Sequence, residues 1–183
     1  MTAADRAQAV LADRARALAR VSAPVVETTA VGELAAFHLG AEYLGVPTIG
    51  VREIQPLRAH RWARIPCAPA FVVGLVNLRG RLYSILDLAA FWGRPARRPA
   101  ETAHLLVVRG GRGAEGEGAL EVALLTDAVP HVVSVPVAGL EPPPATVSAR
   151  ALEHLRGVTA DALMVVDLER LLGDPQLIVF DEP

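Results

Sequence analysis

Over most of its length, from about residue 34 onward, the chain alternates between short apolar runs and breaks that contain glycine or proline. Short apolar runs bounded by turn residues are typical of β-strands rather than helices. Many short strands in one chain favour small barrels, because closure removes unpaired strand edges. The pattern therefore predicts a mainly β fold, with strands at residues 34–39, 43–46, 48–54, 75–78, 82–86, 104–108, 120–125, 129–135 and 163–166.

The N-terminal part of the chain has a different periodicity. Apolar residues recur there at helical spacing, at Ala7, Val10, Leu11 and Leu18. This predicts an amphipathic helix over residues 1–22. Its apolar stripe is thin and rich in alanine, so we expect the helix to dock on the main body or on a partner. Residues 23–30 are predicted to be a linker, and residues 31–180 to be the main domain.

Two segments of the chain, residues 84–95 and 164–175, repeat one plan. In each, an apolar strand reaches an aspartate that can accept hydrogen bonds from a following helical turn, and a glycine suited to a left-handed stop comes after it. These residues are Asp87 and Gly93 in the first segment, and Asp167 and Gly173 in the second. The repeat predicts two similar half-domains, each a small barrel closed by a short helix. The helical residues expected to turn back onto the barrels are Leu88, Phe91, Trp92, Leu168, Leu171 and Leu172.

A third helix is predicted over residues 149–156. Ser148 is its expected N-cap and Gly157 its expected stop. Leu152 and Leu155 would form its buried pair. Between the strands at 104–108 and 120–125, the glycine-rich residues 110–118 predict a long hairpin loop with little function.

Composition narrows the possible functions. Hydrophobic residues make up 52% of the 183 residues and charged residues 21%, which fits a folded globular protein. A formal net charge of -2 provides no chain-wide attraction to nucleic acid. The lone Cys67 can form no internal disulfide, which fits a reducing cytoplasm. No stretch approaches the roughly 18 uninterrupted apolar residues of a membrane span, so we expect a cytoplasmic protein that is not inserted in the membrane.

Side chains that could support catalysis or bind metal are scattered. Asp87, Asp127 and Asp167 each end an apolar strand, a placement that sometimes builds a magnesium site. Helix capping explains the first and third, however, and turn formation explains Asp127. The five histidines stand singly, without metal-ligand spacing, and aromatic residues are too few for base stacking. We therefore expect no catalytic residues, no cofactor, no metal and no nucleic-acid partner.

A turn within residues 71–80 is the best remaining candidate for a site, and it would bind another protein. There an apolar strand ends in a polar turn, in which Asn77 and Gly80 can adopt turn conformations and Arg79 is held at the tip. A rigidly held guanidinium is a specific recognition device. The alternative is an arginine that only solvates a hairpin, and residue types alone do not separate the two interpretations.

The same residues resemble the CheW family of chemotaxis coupling proteins, whose strand-turn of the form Gly-x-x-Asn-Leu-Arg-Gly is matched at residues 74–80. The resemblance extends over about residues 31–175. Further matches fall in family order, at residues 37–43, 51–54, 65–71, 86–88, 124–127 and 155–172.

The resemblance implies a CheW-like fold: two small five-stranded, SH3-like β-barrels around a shared hydrophobic core, with short helices and an added N-terminal helix. It implies no enzyme but an adaptor, which couples methyl-accepting chemoreceptors to the histidine kinase CheA in a signalling array. The implied partners are the cytoplasmic tip of a chemoreceptor, the regulatory domain of a CheA-type kinase and other CheW copies in the array. The alternative is a CheW-like scaffold module of a related pathway, such as gliding or pilus motility or second-messenger output.

Four residues are implied as receptor-binding. Arg79 matches the family's receptor-binding arginine, and Val51 and Glu53 match positions near the receptor groove between the barrels. Gly74, at the base of the turn, is expected to allow close backbone approach. Each residue also has a purely structural alternative: Val51 as core, Glu53 as a solvated strand residue, Gly74 as part of a turn.

The chain departs from the family pattern next to the turn. Many members continue as Val-Val-Pro-x-x-Asp-Leu-Arg, whereas this chain has Tyr83 and Ser84 in the middle and Ala89 in place of the arginine. These departures put the contacts of the following helix in doubt.

Overall fold

The structure is a computed structural model that describes residues 31–110, 119–136 and 139–177. The predicted N-terminal helix and the linker lie outside these residues, and so does most of the glycine-rich loop. They remain predictions.

The described chain is built mainly of strands, with three short α-helices and three 3₁₀ turns. The strands are β1 Val31–Leu39, β2 Glu42–Pro47, β3 Val51–Pro56, β4 Trp62–Ala63, β5 Val72–Leu78, β6 Arg81–Leu86, β7 His104–Gly110, β8 Leu120–Thr126, β9 His131–Pro136, β10 Leu155–Val158 and β11 Met164–Val166. The helices are α1 Leu88–Phe91, α2 Ala149–Glu153 and α3 Leu168–Leu172, and the 3₁₀ turns are Thr48–Gly50, Leu57–Ala59 and Pro175–Leu177.

These strands form two sheets, which confirms the predicted mainly β fold. The first sheet has the order β10-β11-β2-β1-β9 and the second has the order β3-β7-β8-β6-β5-β4. The chain builds β1 and β2, then the whole second sheet, and returns to the first sheet with β9, β10 and β11. The first sheet has the five strands expected. The second has six, because the two-residue β4 pairs with β5, and no apolar run marks β4 in the sequence.

Two predicted elements need correction. The strand expected at residues 48–54 begins only at Val51, because residues 48–50 form a 3₁₀ turn. The helix expected at residues 149–156 ends at Glu153, and Leu155 begins β10, which pairs with β11. Leu155 is buried as expected but lies on a strand, whereas Leu152 is exposed. Tertiary strand pairing has overridden the local helical pattern.

The structure confirms the predicted N-cap of the helix in both repeated segments. It confirms the left-handed glycine at the helix end in only one of them. The Asp87 carboxylate accepts hydrogen bonds from two N–H groups of the α1 turn, at 3.0 and 3.2 Å. The Asp167 carboxylate accepts one from the Arg170 N–H at 3.1 Å. Gly93 has the expected positive φ of 91°, but Gly173 has a φ of -88°, so the left-handed stop predicted there is wrong.

The similarity between the two repeated segments also includes the pairing of the strands around them. The strands before the two aspartates, β6 and β11, each make one parallel pair, with β8 and with β2. Their antiparallel partners, β5 and β10, each have a register shift that includes a glycine, Gly74 in β5 and Gly157 in β10. In both halves another backbone approaches that glycine. A Cβ on Gly157 would lie 2.8 Å from the Glu141 carbonyl oxygen, and a Cβ on Gly74 would overlap the Ala63 carbonyl oxygen.

Consecutive apolar side chains on a strand point to opposite faces of the sheet and are buried in two different cores. On β7, Leu106 and Val108 point into a central core, whereas Leu105 and Val107 point into a second cluster within the second sheet. On β1 the same alternation sends three residues to the central core, Ala35, Phe37 and Leu39. Because side chains alternate across a strand, an uninterrupted apolar run is the expected sequence of a strand buried on both faces.

The helices pack into the central core, which both sheets share. Leu88, Phe91 and Trp92 of the α1 region and Leu168, Leu171 and Leu172 of α3 are buried there, as predicted. The α3 helix follows β11 of the first sheet, yet it packs against β7 of the second sheet. It therefore links the first sheet, which precedes it in the chain, to the second sheet.

A polar network at the junction of the sheets ties the β1–β2 turn to the segment after α1. The Gly40 N–H donates to Asp127 Oδ2 at 2.6 Å, and Arg97 Nη1 donates to the same oxygen at 3.1 Å. Arg97 Nε lies 3.9 Å from the buried Asp87 carboxylate. Asp127 is thus a structural residue, as expected, but its carboxylate joins distant segments of the chain instead of forming a local turn.

Replacing Asp127 by alanine should destabilise the fold, because the Gly40 N–H and the Arg97 guanidinium lose a charged acceptor. We expect a loss of about 1 to 2 kcal/mol in the free energy of unfolding, measured by urea denaturation. Asp161→Ala is the matched control, since Asp161 is exposed in a turn. Equal losses in the two variants would contradict the structural role given to Asp127.

Candidate functional site

The β5–β6 hairpin ends in a two-residue turn with Arg79 at its tip. Leu78 pairs with Arg81, and both Arg79 and Gly80 have positive φ, 52° and 88°. Such a turn matches the right-handed twist of the two strands, but a positive φ is uncommon for a residue other than glycine. Asn77 stays on the strand, where its side-chain oxygen accepts a hydrogen bond from the Gly80 N–H at 2.8 Å. The predicted turn is confirmed, but Arg79 rather than Asn77 takes the left-handed conformation.

Arg79 and Glu53 come together although they are far apart in sequence. Arg79 Nε lies 3.8 Å from Glu53 Oε2, and the Arg79 side chain is 81% exposed. On the same strand as Glu53, Gln55 donates through Nε2 to Glu53 Oε2 at 3.1 Å. The His60 ring in turn lies 3.4 Å from Gln55 Oε1. A row of polar side chains therefore runs from the hairpin tip along β3.

Val51 and Gly74, the other two predicted site residues, have clear structural roles. Val51 is half-buried at the start of β3 and packs against the central core. Gly74 is buried in β5, where β4 crosses close to it. A Cβ on Gly74 would overlap the Ala63 carbonyl oxygen and would lie 3.0 Å from the Trp62 ring. The expected close backbone approach at Gly74 is present, and the approaching chain is β4 of the same protein.

Beside this pair lies a group of charged residues that the sequence did not reveal. Glu121 of β8 forms ion pairs with three arginines: Arg52 at 3.6 Å, Arg81 at 3.2 Å and Arg109 at 3.8 Å. The hydroxyl of the buried Tyr83 donates to Glu121 as well, at 3.4 Å. We call Arg52, Arg79, Arg81 and Arg109, with Glu53 and Glu121, the arginine cluster.

The strand order explains why these residues meet. Arg52, Arg109, Glu121 and Arg81 lie on β3, β7, β8 and β6, which are consecutive in the second sheet, and Arg109 is paired directly with Glu121. In the sequence, Arg52 lies next to Val51 and Glu53, and Arg81 lies two residues after Arg79. This closeness to the predicted site residues is the one sign of the cluster that the sequence offers. Tyr83, one of the departures from the family pattern, supports the cluster from inside the sheet.

The second departure from the family pattern has a different consequence. Ala89 is buried in α1 and borders a cavity of about 330 Å³, which is also lined by Leu39, Glu42 and Arg97. Arg94, just after α1, pairs with Glu42 at 3.4 Å. Arg94 and Arg97, which follow α1 in the chain, thus provide the positive charges beside this cavity.

The other candidate side chains are engaged in the fold. Asp87, Asp127 and Asp167 accept hydrogen bonds from backbone N–H groups. His154 is buried: the Trp92 indole N–H donates to its Nδ1 at 3.2 Å, and its Nε2 lies 3.1 Å from Asp174. In the described part of the chain, no group of three His, Cys, Asp or Glu residues could hold a metal ion. Among the same residues, no helix is long and apolar enough to cross a membrane.

Comparison with known proteins gives one family. The sequence model of the protein family described as CheW-like domain matches residues 33–176 of this chain. A probable chemotaxis protein CheW from Rhizobium etli is 32% identical over 150 residues, which cover 79% of this chain and 89% of the relative. Protein FrzA from Myxococcus xanthus is 31% identical over 145 residues, or 76% of this chain and 84% of that protein. These matches take in strands of both sheets.

A solved structure agrees with these matches. The crystal structure of the scaffolding protein TtCheW from Thermoanaerobacter tengcongensis is similar with a TM-score of 0.61 and 25% sequence identity. The similarity covers 76% of this chain and 86% of that one. The two-sheet architecture is thus shared with a protein described as a scaffold.

Replacing Gly74 by alanine should lower the free energy of unfolding by about 1 to 3 kcal/mol, because the new Cβ forces β4 away from β5. Thermal and urea unfolding would measure the loss. Ser84→Ala, on the strand opposite, is the control and should change stability little. A Gly74→Ala variant as stable as the wild type, but deficient in partner binding, would place the role of Gly74 at the binding surface instead.

Proposed function

Because the chain belongs to the CheW-like domain family, we propose that it is a chemotaxis adaptor, which couples a methyl-accepting chemoreceptor to a CheA-type histidine kinase. The proposal includes no catalysis. The aspartates that could have built a magnesium site instead cap helices or tie loops together, and this supports a structural reading of them.

The observation that supports the proposal most strongly is the conformation of Arg79. A non-glycine residue with positive φ costs conformational free energy, and such strain concentrates at functional sites. Its guanidinium is exposed at the tip of a hairpin whose base is fixed by the second sheet and by β4. The turn fixes the backbone of Arg79, and its planar guanidinium loses less entropy for each hydrogen bond to a carboxylate than a lysine ammonium does. We propose that Arg79 and Glu53 contact the receptor tip.

Val51 and Gly74 belong to the same proposed receptor-binding surface. Val51 fixes the start of β3 beside Glu53, and Gly74 lets β4 brace the hairpin that bears Arg79. Exposed apolar side chains lie next to these elements in the chain. They are Ile49 before β3 and Leu82 after the hairpin turn. Apolar contacts with charged residues at the rim are the usual make-up of a protein–protein interface of about 1,600 Å².

An adaptor of this kind works by differential binding. It must hold the receptor tip and the regulatory domain of the kinase at the same time, so the two partners must use different surfaces. Receptor state can shift the kinase between active and inactive arrangements only if the linked contacts differ between those states. We accordingly propose a cytoplasmic location at membrane receptor arrays, where other copies of the fold would be further partners.

The match to protein FrzA favours a second candidate function. That relative has a different name from the chemotaxis proteins, although its identity to this chain is similar. The same scaffold could therefore serve a related pathway, such as gliding or pilus motility or second-messenger output. A surface around Arg79 would then recognise a different client.

The test is a pull-down of the purified full chain with a chemoreceptor cytoplasmic fragment and, separately, with the CheA regulatory domain. Arg79→Glu should lose receptor capture and keep kinase capture. Arg79→Asn removes the charge with a residue that tolerates positive φ, so its turn should stay folded. It should weaken receptor capture by about tenfold, the effect of losing roughly 1.4 kcal/mol.

Arg98→Glu is the control, because Arg98 is exposed outside the hairpin and should bind both partners as the wild type does. Full receptor capture by both Arg79 variants would refute the proposed site. Capture of neither partner by the wild type would refute the chemotaxis assignment and leave the related-pathway module as the better reading.

A further inference from the structure

His154, directly after α2, has a buried imidazole whose two ring nitrogens face different groups. All five histidines lie in the described part of the chain, and His154 alone among them is buried, with 3% of the residue exposed. Trp92 Nε1 lies 3.2 Å from its Nδ1, and Asp174 Oδ2 lies 3.1 Å from its Nε2. The ring therefore bridges the residue that follows α1 and the turn that follows α3.

The contact with Trp92 fixes the protonation state of this ring. An indole nitrogen carries a hydrogen and cannot accept one, so Trp92 can only donate. His154 Nδ1 therefore carries no proton in this arrangement. The single proton of the neutral imidazole is on Nε2, which donates it to Asp174. The geometry thus requires a neutral His154 in one specific tautomer.

Asp174 and Arg150 place opposite charges beside the ring. Arg150 Nη2 lies 3.7 Å from the Asp174 oxygen that faces His154, and the Arg150 guanidinium carbon lies 4.2 Å from the centre of the Phe91 ring. A second proton on His154 would be attracted by the Asp174 carboxylate and repelled by the Arg150 guanidinium. On the Trp92 side it would break the hydrogen bond, because both facing nitrogens would then carry a hydrogen.

Solvent has a route to this buried ring. A cavity of about 570 Å³ borders His154 and is also lined by Glu153, Arg170 and Gln176. Glu153 and Gln176 are exposed, so the cavity opens to the surface. Arg170 pairs with the Asp167 carboxylate at 3.7 Å. Protons can therefore reach His154 without the unfolding of a helix.

The contacts around His154 join helices that belong to different sheets. The α1 helix follows β6 of the second sheet, whereas α2 and α3 flank the β10–β11 pair of the first sheet. The Trp92 carbonyl also accepts a hydrogen bond from the hydroxyl of Ser148, the N-cap of α2, at 3.0 Å. The end of α1 is thus tied to α2 by both the side chain and the backbone of Trp92.

We propose that His154 is a proton-sensitive latch between these helices. As a neutral imidazole it accepts from Trp92 and donates to Asp174, and so it holds the end of α1 to α2 and to the turn after α3. A second proton converts Nδ1 from an acceptor into a donor, and the Trp92 contact is lost. Imidazole in water gains this proton at about pH 6.5, so mild acid is the signal that opens the latch.

Opening the latch would loosen the end of α1 while the shared core keeps the chain folded. Trp92 and Leu88 stay buried in that core through apolar contacts, which do not depend on the proton. A fall in pH would then weaken any partner contact that spans both sheets. The inference does not depend on the proposed function, because it is tested on the chain without partners.

NMR of the wild-type full chain follows the latch directly. Nitrogen chemical shifts of a histidine ring distinguish its two neutral tautomers from the imidazolium. The chain has two tryptophans, so Trp62→Phe assigns both indole N–H signals. Between about pH 7.5 and about pH 5.0, His154 should change from the Nε2–H tautomer to the imidazolium. The Trp92 indole signal should shift with the same midpoint.

Trp92→Phe tests the latch by its effect on stability, since it removes the indole N–H and keeps an aromatic ring. At neutral pH the variant should be less stable than the wild type, partly because His154 Nδ1 has no donor. In acid the wild type has lost that hydrogen bond too. The ratio of the two unfolding equilibrium constants, from urea denaturation, should therefore fall about fivefold to tenfold between about pH 7.5 and about pH 5.0.

Two variants serve as controls. Trp62→Phe makes the same change on β4, and its ratio to the wild type should not depend on pH. His154→Gln keeps a neutral polar side chain that cannot titrate, so the Trp92 signal should no longer respond to pH. His38→Gln removes an exposed imidazole and should leave the response of Trp92 as it is in the wild type.

Several results would overturn the inference. One is a His154 ring that is already the imidazolium, or is the Nδ1–H tautomer, at about pH 7.5. A ring that stays neutral at about pH 5.0 would make the contact a fixed structural one. A Trp92 signal that does not move as His154 gains a proton would also refute the latch. If the signal still titrates in His154→Gln, another group is responsible and the inference is wrong.

Discussion

The fold depends on a central hydrophobic core that two sheets share. Phe37 of the first sheet and Leu106 and Leu124 of the second are all buried in it, together with the helices that follow the two repeated strands. Neither sheet can move relative to the other without exposing this surface to water, at roughly 25 cal/mol for each Å² of apolar area. The β5–β6 hairpin and β3 both belong to the second sheet, and the strand pairing of that sheet fixes them relative to each other.

That rigidity is what makes an exposed arginine useful. Arg79 is held in an uncommon backbone conformation by a turn whose two strands are paired on both sides. The neighbouring charges are held in the same way, since Arg52, Arg81 and Arg109 project from consecutive strands toward one carboxylate. A partner would meet a preorganised surface, so little ordering entropy would be lost on binding.

Features governed by neighbouring residues could be predicted well. The Asp87 and Asp167 caps depend on hydrogen bonds that span only a few residues, and the turn at Arg79 depends on the short sequence around it. Features governed by distant partners could not. The α2 helix ends early because Leu155 pairs with β11, and β4 exists because the bulge at Gly74 admits its backbone.

The sequence by itself determined the class of fold, the position of most strands, the repeated strand-and-cap plan and the exposed turn bearing Arg79. Alternation of side chains and short-range hydrogen bonds are local rules, so they can be read directly from residue order. Only the tertiary structure decided that Glu53 meets Arg79, that Gly74 packs under β4 and that Glu121 gathers three arginines. These contacts follow from strand order and register, which are set by how the shared core is buried rather than by any one segment.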